Sequence, residues 1–164
     1  MKNVVLVGMP GCGKSTVGVI LAKTLGLCFV DTDLLICAKE ESTLQNIIET
    51  KGLEYFEKAE CEVGEKLSVN NTVVATGGSM ILYESAIKSL KKAAVVVYIN
   101  VSLPELKRRL TNIKTRGITF AKGETLEDIF NIRTPLYKKY ADITINADDF
   151  TIEETVTKLT ELLK

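Results

Sequence analysis

The sequence of 164 residues contains neither histidine nor tryptophan. Without an imidazole, a histidine base and a histidine-ligated metal are both excluded, so acid–base chemistry falls to carboxylates, lysines and hydroxyls. Net charge is also absent, because 21 acidic and 21 basic side chains cancel. This balance disfavours nucleic acid or an anionic membrane as a partner, and any charge selectivity must be local.

Long hydrophobic runs and paired cysteines are missing as well. The longest apolar run, AAVVVYI at 93–99, is far shorter than the roughly 18 residues that a membrane span needs. The four cysteines form no CxxC pair, and the chain does not start with the long apolar stretch of a secretory signal. We therefore expect free thiols, no membrane partner and a cytoplasmic location.

The composition that is present predicts one globular domain over residues 1–164. Apolar residues make up 46% and charged residues 26%, which suits a single buried core. Short β-branched runs alternate with helical patterns, at 4–8, 28–31, 73–76, 94–99 and 143–147. This alternation predicts βαβ units, and strands that are apolar throughout predict helices on both faces. We expect an α/β three-layer sandwich with a five-stranded parallel sheet, acting as a monomer.

Hydrophobic periodicity predicts the helices between these strands. They span residues 14–25, 53–69, 82–91, 103–111, 125–140 and 151–163. Thr125 and Asp128 have the spacing of a capping box at the start of one of them. The segment 111–124 contains two glycines and little periodicity, which predicts a mobile loop able to serve as a lid.

Residues 8–15, GMPGCGKS, fit the phosphate-binding pattern G-x-x-x-x-G-K-[ST] between a strand and a helix. Glycine backbones let successive N–H groups face phosphate oxygens, Lys14 can reach the transferring phosphate, and the Ser15 hydroxyl can bind Mg²⁺. The predicted nucleotide contacts of this loop are Gly8, Gly11, Cys12, Gly13, Lys14, Ser15 and Thr16.

Two other classes of nucleotide-binding protein, GTPases and dinucleotide-binding proteins, fit the sequence less well. We therefore expect ATP to be the phosphate donor. The nearest match to a guanine-reading NKxD string is NIKT at 112–115, which does not fit. Thr16 stands where the third glycine of a dinucleotide-binding G-x-G-x-x-G would lie.

Cys12, inside the loop and near a helix start, is a candidate oxidisable thiol.

Two aspartates follow the second predicted strand, in FVDTD. Since residues two apart on a strand share a face, Asp31 and Asp33 should both project beside the phosphate loop. We expect Asp31 to order the magnesium shell and Asp33 to orient and deprotonate an acceptor hydroxyl. Alternatively, Asp33 is only the N-cap of a following helix. The next strand ends in ATGGS at 75–79, whose glycines permit either close approach of a ligand or a tight turn.

These segments together resemble the shikimate kinases, small P-loop kinases of the nucleoside monophosphate kinase-like fold. The resemblance covers nearly the whole chain, through GMPGCGKST, FVDTD, GLEYFEKAE, ATGG, TRGI at 115–118 and RTPLYKKYAD at 133–142. It implies ATP-dependent phosphorylation of a ring hydroxyl of shikimate, with Asp31 on the magnesium side and Asp33 on the substrate. It also implies that Arg116 is a lid arginine that closes on the phosphates. By the same resemblance Arg109 lies against adenine and Arg133 binds the substrate carboxylate.

The chain departs from the family pattern at two places, both at the substrate end. An arginine normally follows the phenylalanine of GLEYFEKAE, where this chain has Glu57. Three glycines normally follow the third strand, where this chain has Gly77, Gly78 and Ser79. Loss of one arginine clamp predicts binding of an anionic substrate that is weaker by about 10–100-fold. Glu60, which supports that arginine in the family, lies within an apolar stripe of its helix, where a carboxylate is usually paired or functional.

Three functions are therefore open from the sequence. The first is phosphorylation of shikimate, with catalytic residues Lys14, Asp33 and Arg116. Its predicted substrate contacts are Asp33, Glu57, Gly77, Gly78, Ser79 and Arg133. The second is a kinase of the same fold for a neutral or amine-bearing hydroxyl compound, which the departures at residues 57 and 79 favour. The third is a non-catalytic nucleotide-binding module, which would need neither Asp33 nor the lid arginine.

Overall fold

The fold is built on one parallel sheet, seen in a computed structural model that describes residues 2–110 and 123–164. Its strands are β1 (Asn3–Val7), β2 (Cys28–Asp31), β3 (Thr72–Ala75), β4 (Ala94–Asn100) and β5 (Ile143–Asn146). They lie in the order β2-β3-β1-β4-β5, and every neighbouring pair is parallel. The predicted five-stranded parallel sheet is confirmed. The predicted bounds of each strand differ from the observed bounds by at most one residue at either end.

The predicted helices are also present, although some end earlier than expected. The described helices are α1 (Lys14–Leu25), α2 (Thr32–Glu40), α3 (Leu44–Lys51), α4 (Leu53–Lys66), α5 (Glu84–Lys91), α6 (Leu103–Arg109), α7 (Leu126–Tyr140) and α8 (Ile152–Leu162). A short 3-10 helix, Met80–Leu82, precedes α5. The capping box at the start of α7 is confirmed, because Thr125 Oγ1 accepts from the Asp128 backbone and the Asp128 carboxylate accepts from the Thr125 backbone.

The predicted set lacks α2 and α3, which lie between β2 and α4. These helices have only nine and eight residues, too few for a clear hydrophobic period. Side-chain caps mark their starts: the Asp31 carboxylate accepts from the backbone of α2, and Thr43 Oγ1 accepts from that of α3. Such caps satisfy backbone donors that a helix start leaves unpaired.

The direction of each crossover places the helices on the two faces of the sheet. From β1 the chain crosses through α1 to β2 at one edge, and the three later crossovers run back in the opposite direction. Because parallel crossovers are right-handed, α1 lies on one face, and α4, α5 and α7 lie on the other. The last helix, α8, packs against α1. The three-layer α/β arrangement is therefore confirmed.

A second, smaller core joins α2, α3 and α4 beside the sheet. Its buried members are Ile36, Ile47 and Phe56, separate from the main core around the central strands. This packing fixes the starts of α2 and α4 next to the carboxyl end of β3, where open α/β sheets bind ligands.

Most of the predicted lid, 111–124, lies outside the described residues, and so does Arg116. In the part that is described, no helix combines the length and the apolar character that crossing a membrane requires.

Candidate active site

A glycine loop, residues 8–13, connects β1 to α1. Gly11 and Gly13 have φ values of 82° and 95°, which L side chains rarely adopt. A Cβ on Gly11 would also collide with the Leu110 side chain at 2.9 Å. Directly after this turn, α1 begins at Lys14. A tight glycine turn that leads into a helix N-terminus is the arrangement that binds phosphate groups.

The Lys14 side chain lies buried across the glycine loop. Its Nζ donates to the carbonyl oxygens of Gly8 (2.7 Å) and Met9 (3.0 Å) and lies 3.6 Å from Cys12 Sγ. The ammonium group is thus held at the loop by weak acceptors that phosphate oxygens can replace.

Cys12 itself is only 2% exposed, whereas oxidisable thiols are at least partly accessible. The structure therefore does not support the hypothesis that Cys12 is a redox-sensitive thiol.

Ser15 and Asp31 bring two oxygen ligands together beside the loop. Ser15 Oγ donates to Asp31 Oδ2 at 2.6 Å, while Asp31 Oδ1 accepts from the backbone N–H groups of Asp33 (2.9 Å) and Leu34 (3.3 Å). Asp31 is therefore the N-cap of α2, and Asp33 is not. The expectation that the two aspartates share a strand face is wrong, because β2 ends at Asp31 and Asp33 lies in the first turn of α2.

A cavity of about 350 Å³ opens beside the glycine loop; we call it the site cavity. Among the described residues, its lining consists of Pro10, Gly11, Gly13, Lys14, Ser15, Thr16, Asp33, Phe56, Glu60, Thr76, Gly77, Gly78, Ser79 and Arg133. The loop and the start of α1 form one end, and residues from α2, α4, α7 and the segment after β3 form the rest. Most of the predicted site residues thus lie together in one space.

Asp33 is a nearly buried carboxyl group in this cavity. Burial, with a further contribution from the negative charge of Asp31, raises its pKa to about 6, although the positive charge of Lys14 acts in the opposite direction. Its Oδ1 has no hydrogen-bond partner among the described residues. A carboxyl group that lines a cavity and whose pKa is raised toward neutral pH suits a general base.

Glu60 is a second buried carboxyl group, and it has no exposed surface. Burial raises its pKa to about 7; the hydrogen bond from Ser79 and the charge of Arg133 lower it, and the charge of Asp33 raises it. Ser79 Oγ donates to Glu60 Oε2, and the Tyr83 hydroxyl donates to the same oxygen at 3.5 Å. The position of Glu60 in the apolar stripe of α4 is confirmed, and its partner is Ser79, one of the two departures from the family pattern.

Gly77 and Gly78 allow several groups to approach the backbone closely. A Cβ on Gly77 would collide with Asp33 Oδ1 at 2.6 Å and with Glu60 Oε1, and a Cβ on Gly78 would collide with the Pro10 ring at 2.8 Å. The need for these glycines therefore comes from close packing around the cavity and not from the turn alone.

Arg133 supplies a buried positive charge to the site cavity. It is 4% exposed, and α7 places it there. Its charge lowers the pKa of Glu60, and a Cβ on Gly78 would lie 3.3 Å from its Nη1. A guanidinium group in such a setting is well suited to bind a carboxylate.

Comparison with known proteins assigns the chain to a family. The family model described as shikimate kinase matches residues 10–164. A shikimate kinase from Sulfurihydrogenibium sp. is 39% identical over 164 residues, which cover 97% of this chain and 98% of that protein. This chain belongs to the shikimate kinase family. The predicted resemblance and the predicted class of phosphotransferase are therefore confirmed.

Solved structures agree with this assignment to the shikimate kinase family. The structure of shikimate kinase from Acinetobacter baumannii in complex with shikimate has a TM-score of 0.91 and 32% identity, and the match covers 99% of this chain and 93% of that one. Thymidylate kinase from Candida albicans has a TM-score of 0.62 at 14% identity. The latter likeness concerns the fold alone, and it confirms the nucleoside monophosphate kinase-like fold.

Five residues that the sequence assigned to the site do not line the site cavity of this shikimate kinase family member. Gly8, Cys12 and Asp31 are not among the lining residues, and Arg109 lies at the end of α6, where its Nε donates to Glu105 at 2.8 Å. Glu57 is half-buried on α4 near Tyr83, and its charge raises the pKa of that tyrosine. The predicted contacts of these residues with nucleotide, metal or substrate stay predictions.

Tyr137 does not line the site cavity, but it holds the lining residue Gly78, a contact that the sequence reasoning missed. Its hydroxyl donates to the carbonyl oxygen of Gly78 at 2.6 Å, and its ring stacks on Tyr98 with centroids 5.1 Å apart. Tyr137 follows Arg133 by four residues, so the two share one face of α7. That spacing, visible in RTPLYKKY, is the signal that would have found it.

Proposed function

We propose that this protein transfers the γ-phosphoryl group of ATP to a ring hydroxyl of shikimate. One observation carries the proposal: a single cavity joins the glycine loop and Lys14 to Asp33 and the buried Arg133. These groups suit a nucleotide phosphate, an acceptor hydroxyl and an acceptor carboxylate respectively. The similarity to an Acinetobacter baumannii shikimate kinase in complex with shikimate supports this choice of acceptor.

At the donor end, the glycine loop would hold the phosphates of ATP. Lys14 would exchange its bonds to the loop carbonyls for bonds to phosphate oxygens, where its charge favours transfer. Ser15 and Asp31 suit Mg²⁺, because their adjacent hydroxyl and carboxylate oxygens are the hard ligands that this ion prefers. When bound, Mg²⁺ would neutralise the charge of the phosphates. Further donor contacts, of Arg116 with the phosphates and of Arg109 with adenine, are part of the proposal.

At the acceptor end, the Asp33 carboxylate would accept the proton of the reacting hydroxyl. The hydroxyl oxygen forms the new bond to the γ-phosphorus, the bond from that phosphorus to the bridging oxygen breaks, and ADP leaves. Arg133 would bind the carboxylate of shikimate and so fix which hydroxyl faces the donor.

Glu57 was the main reason to consider a neutral or amine-bearing acceptor. In the structure, the lining of the site cavity contains Arg133, and Glu57 is not among the described residues of that lining. The positive charge of Arg133 would therefore face the acceptor, whereas the charge of Glu57 acts on Tyr83. This arrangement supports an anionic acceptor.

The test is release of ADP from Mg-ATP in the presence of shikimate, its uncharged methyl ester and amine-bearing polyols. We expect saturable turnover with shikimate. Asp33→Asn should lower kcat by about 10²–10⁴-fold, whereas Asp142→Asn, the same change just before the amino end of β5 and therefore at the opposite end of the sheet, should not. Arg133→Gln should raise KM for shikimate more than KM for the ester. Turnover with the ester or the amines but not with shikimate would favour the alternative acceptor, and no acceptor-dependent turnover would favour the binding module.

We also propose that the protein acts as a monomer in the cytoplasm. All four cysteines are free thiols, which suits a reducing compartment. The lining of the site cavity comes from one chain, so the site needs no second copy. Light scattering coupled to size-exclusion chromatography, during which a mass near 18.0 kDa is expected, tests the oligomeric state.

A further inference from the structure

The Thr32 hydroxyl is a buried polar group next to the site, and the proposed reaction does not use it. Thr32 is the first residue of α2 and has no exposed surface. Its Oγ1 accepts a hydrogen bond from the backbone N–H of Gly77 at 3.1 Å. This bond joins the start of α2 to the segment that follows β3, although the two residues are 45 positions apart in the chain.

Asp33, the residue after Thr32, lies against the same glycine. A Cβ on Gly77 would lie 2.6 Å from Asp33 Oδ1, and this oxygen has no hydrogen-bond partner among the described residues. On this side, the carboxyl group is thus confined by packing against Gly77 and not by a hydrogen bond. One turn of α2 therefore holds Gly77 through Thr32 and places Asp33 against it.

The segment after β3 is anchored to other elements as well. The N–H and the hydroxyl of Thr76 both donate to the carbonyl oxygen of Leu6 in β1, at 3.2 and 2.8 Å. The Gly78 carbonyl accepts from the Tyr137 hydroxyl of α7 at 2.6 Å. Because these bonds fix the segment to the sheet and to α7, the bond from Thr32 fixes the start of α2 to an anchored partner.

We propose that Thr32 is a positioning residue for phosphoryl transfer: its hydroxyl holds Gly77 and so sets the Asp33 carboxylate at the acceptor hydroxyl. The inference rests on the proposed function, since it requires Asp33 to act as the base. Thr32 is not among the described residues that line the site cavity, so it acts through Asp33. The effect is large because a displacement of about 1 Å in a reacting group can lower a rate by about 100-fold.

Thr32→Val removes the acceptor of this hydrogen bond and keeps the branched shape of the side chain. The buried N–H of Gly77 would lose its partner, which costs free energy, so the segment and α2 should move apart. Asp33 would then lose the contact that confines it. We expect kcat with shikimate to fall by about 10–100-fold, while KM for ATP changes by no more than about twofold.

Two variants serve as controls for the loss of the hydroxyl. Thr32→Ser keeps the hydroxyl and should hold kcat within about threefold of wild type. Thr72→Val makes the same change at the opposite end of β3, where Thr72 is also buried and its Oγ1 donates to the Asn70 carbonyl at 2.8 Å. That variant should lose stability and keep wild-type kcat and KM.

A positioning role also predicts that the effect of Thr32 depends on the Asp33 carboxylate. In an Asp33→Asn background, Thr32→Val should lower kcat by no more than about threefold further, because residues that act as one unit are not additive. A merely structural threonine would give the same fold-loss in both backgrounds. That result, or wild-type kcat in Thr32→Val, would overturn the inference.

If Thr32→Val does not fold, Thr32→Ala replaces it in both backgrounds with the same expected ratios. The acceptor is tested separately by wild type alone. If wild type phosphorylates another hydroxyl compound and not shikimate, the proposed acceptor is wrong, and the same variants assayed on that compound still test the role of Thr32.

Discussion

Gly77→Ala is a substitution that changes the site through a single added atom. The φ angle of Gly77 is not in the left-handed region, so alanine is compatible with the backbone there. The added Cβ would collide with Asp33 Oδ1 at 2.6 Å and with Glu60 Oε1. Both carboxyl groups are buried, and at least one of them must move.

The size of the effect follows from the hydrogen bond that we propose between the Asp33 carboxylate and the acceptor. One charge-assisted hydrogen bond contributes about 1.5–3 kcal/mol, so displacement of one carboxylate should lower kcat/KM for shikimate by about 10–100-fold. The glycine loop does not touch the added atom, so the KM for ATP should change by no more than about twofold.

Coupled ADP-release kinetics with either substrate varied would measure both effects, and thermal unfolding would report stability. Gly26→Ala is the matched control: its Cβ meets nothing within 4 Å, but its φ of 68° is strained for alanine. That variant should lose about 1–2 kcal/mol of stability and keep wild-type kinetics. If Gly77→Ala retained kcat/KM for shikimate within about threefold of wild type, the proposed placement of Asp33 against the acceptor would be wrong.

Three further predictions concern stability and the acceptor end of the site. Burial raises the pKa of Asp33 to about 6 and of Glu60 to about 7, above unfolded values, so the stability that their protonated forms provide is lost as pH rises through that range. The Tm of the ligand-free protein should therefore fall from pH 5 to pH 8, and less so in Glu60→Gln; equal slopes would contradict this. Tyr137→Phe removes the bond to the Gly78 carbonyl and should cost about 1 kcal/mol in urea unfolding while raising KM for shikimate but not for ATP. Thr151→Ala breaks the capping box of α8 and should cost about 1 kcal/mol without a change in kinetics.

The sheet and the donor end of the site could be predicted because their signals are local. Apolar β-branched runs such as AVVVYI predict buried strands without knowledge of their neighbours. The glycine loop is a continuous segment whose spacing already implies its backbone geometry, and the turn at Gly11 and Gly13 has the predicted form.

The acceptor end was predicted less well because its residues come from separate elements. Spacing alone placed Asp33 on a strand, whereas the Asp31 cap starts α2 one residue later. The sequence also marked Glu57 and Ser79 as equivalent departures. In the structure, Ser79 is a buried donor to Glu60, and Glu57 is half-buried outside the described lining of the cavity.

By itself, the sequence of this protein determined its family, its sheet and its glycine loop, since each depends on residues close together in the chain. Only the tertiary structure decided which carboxyl oxygens have no partner and which glycine lies between them. Asp33, Glu60, Gly77 and Arg133 are brought together by α2, α4, α7 and the end of β3. Burial then raises the pKa of both carboxyl groups, because desolvation is a property of the packed protein and not of the segment that contains each residue.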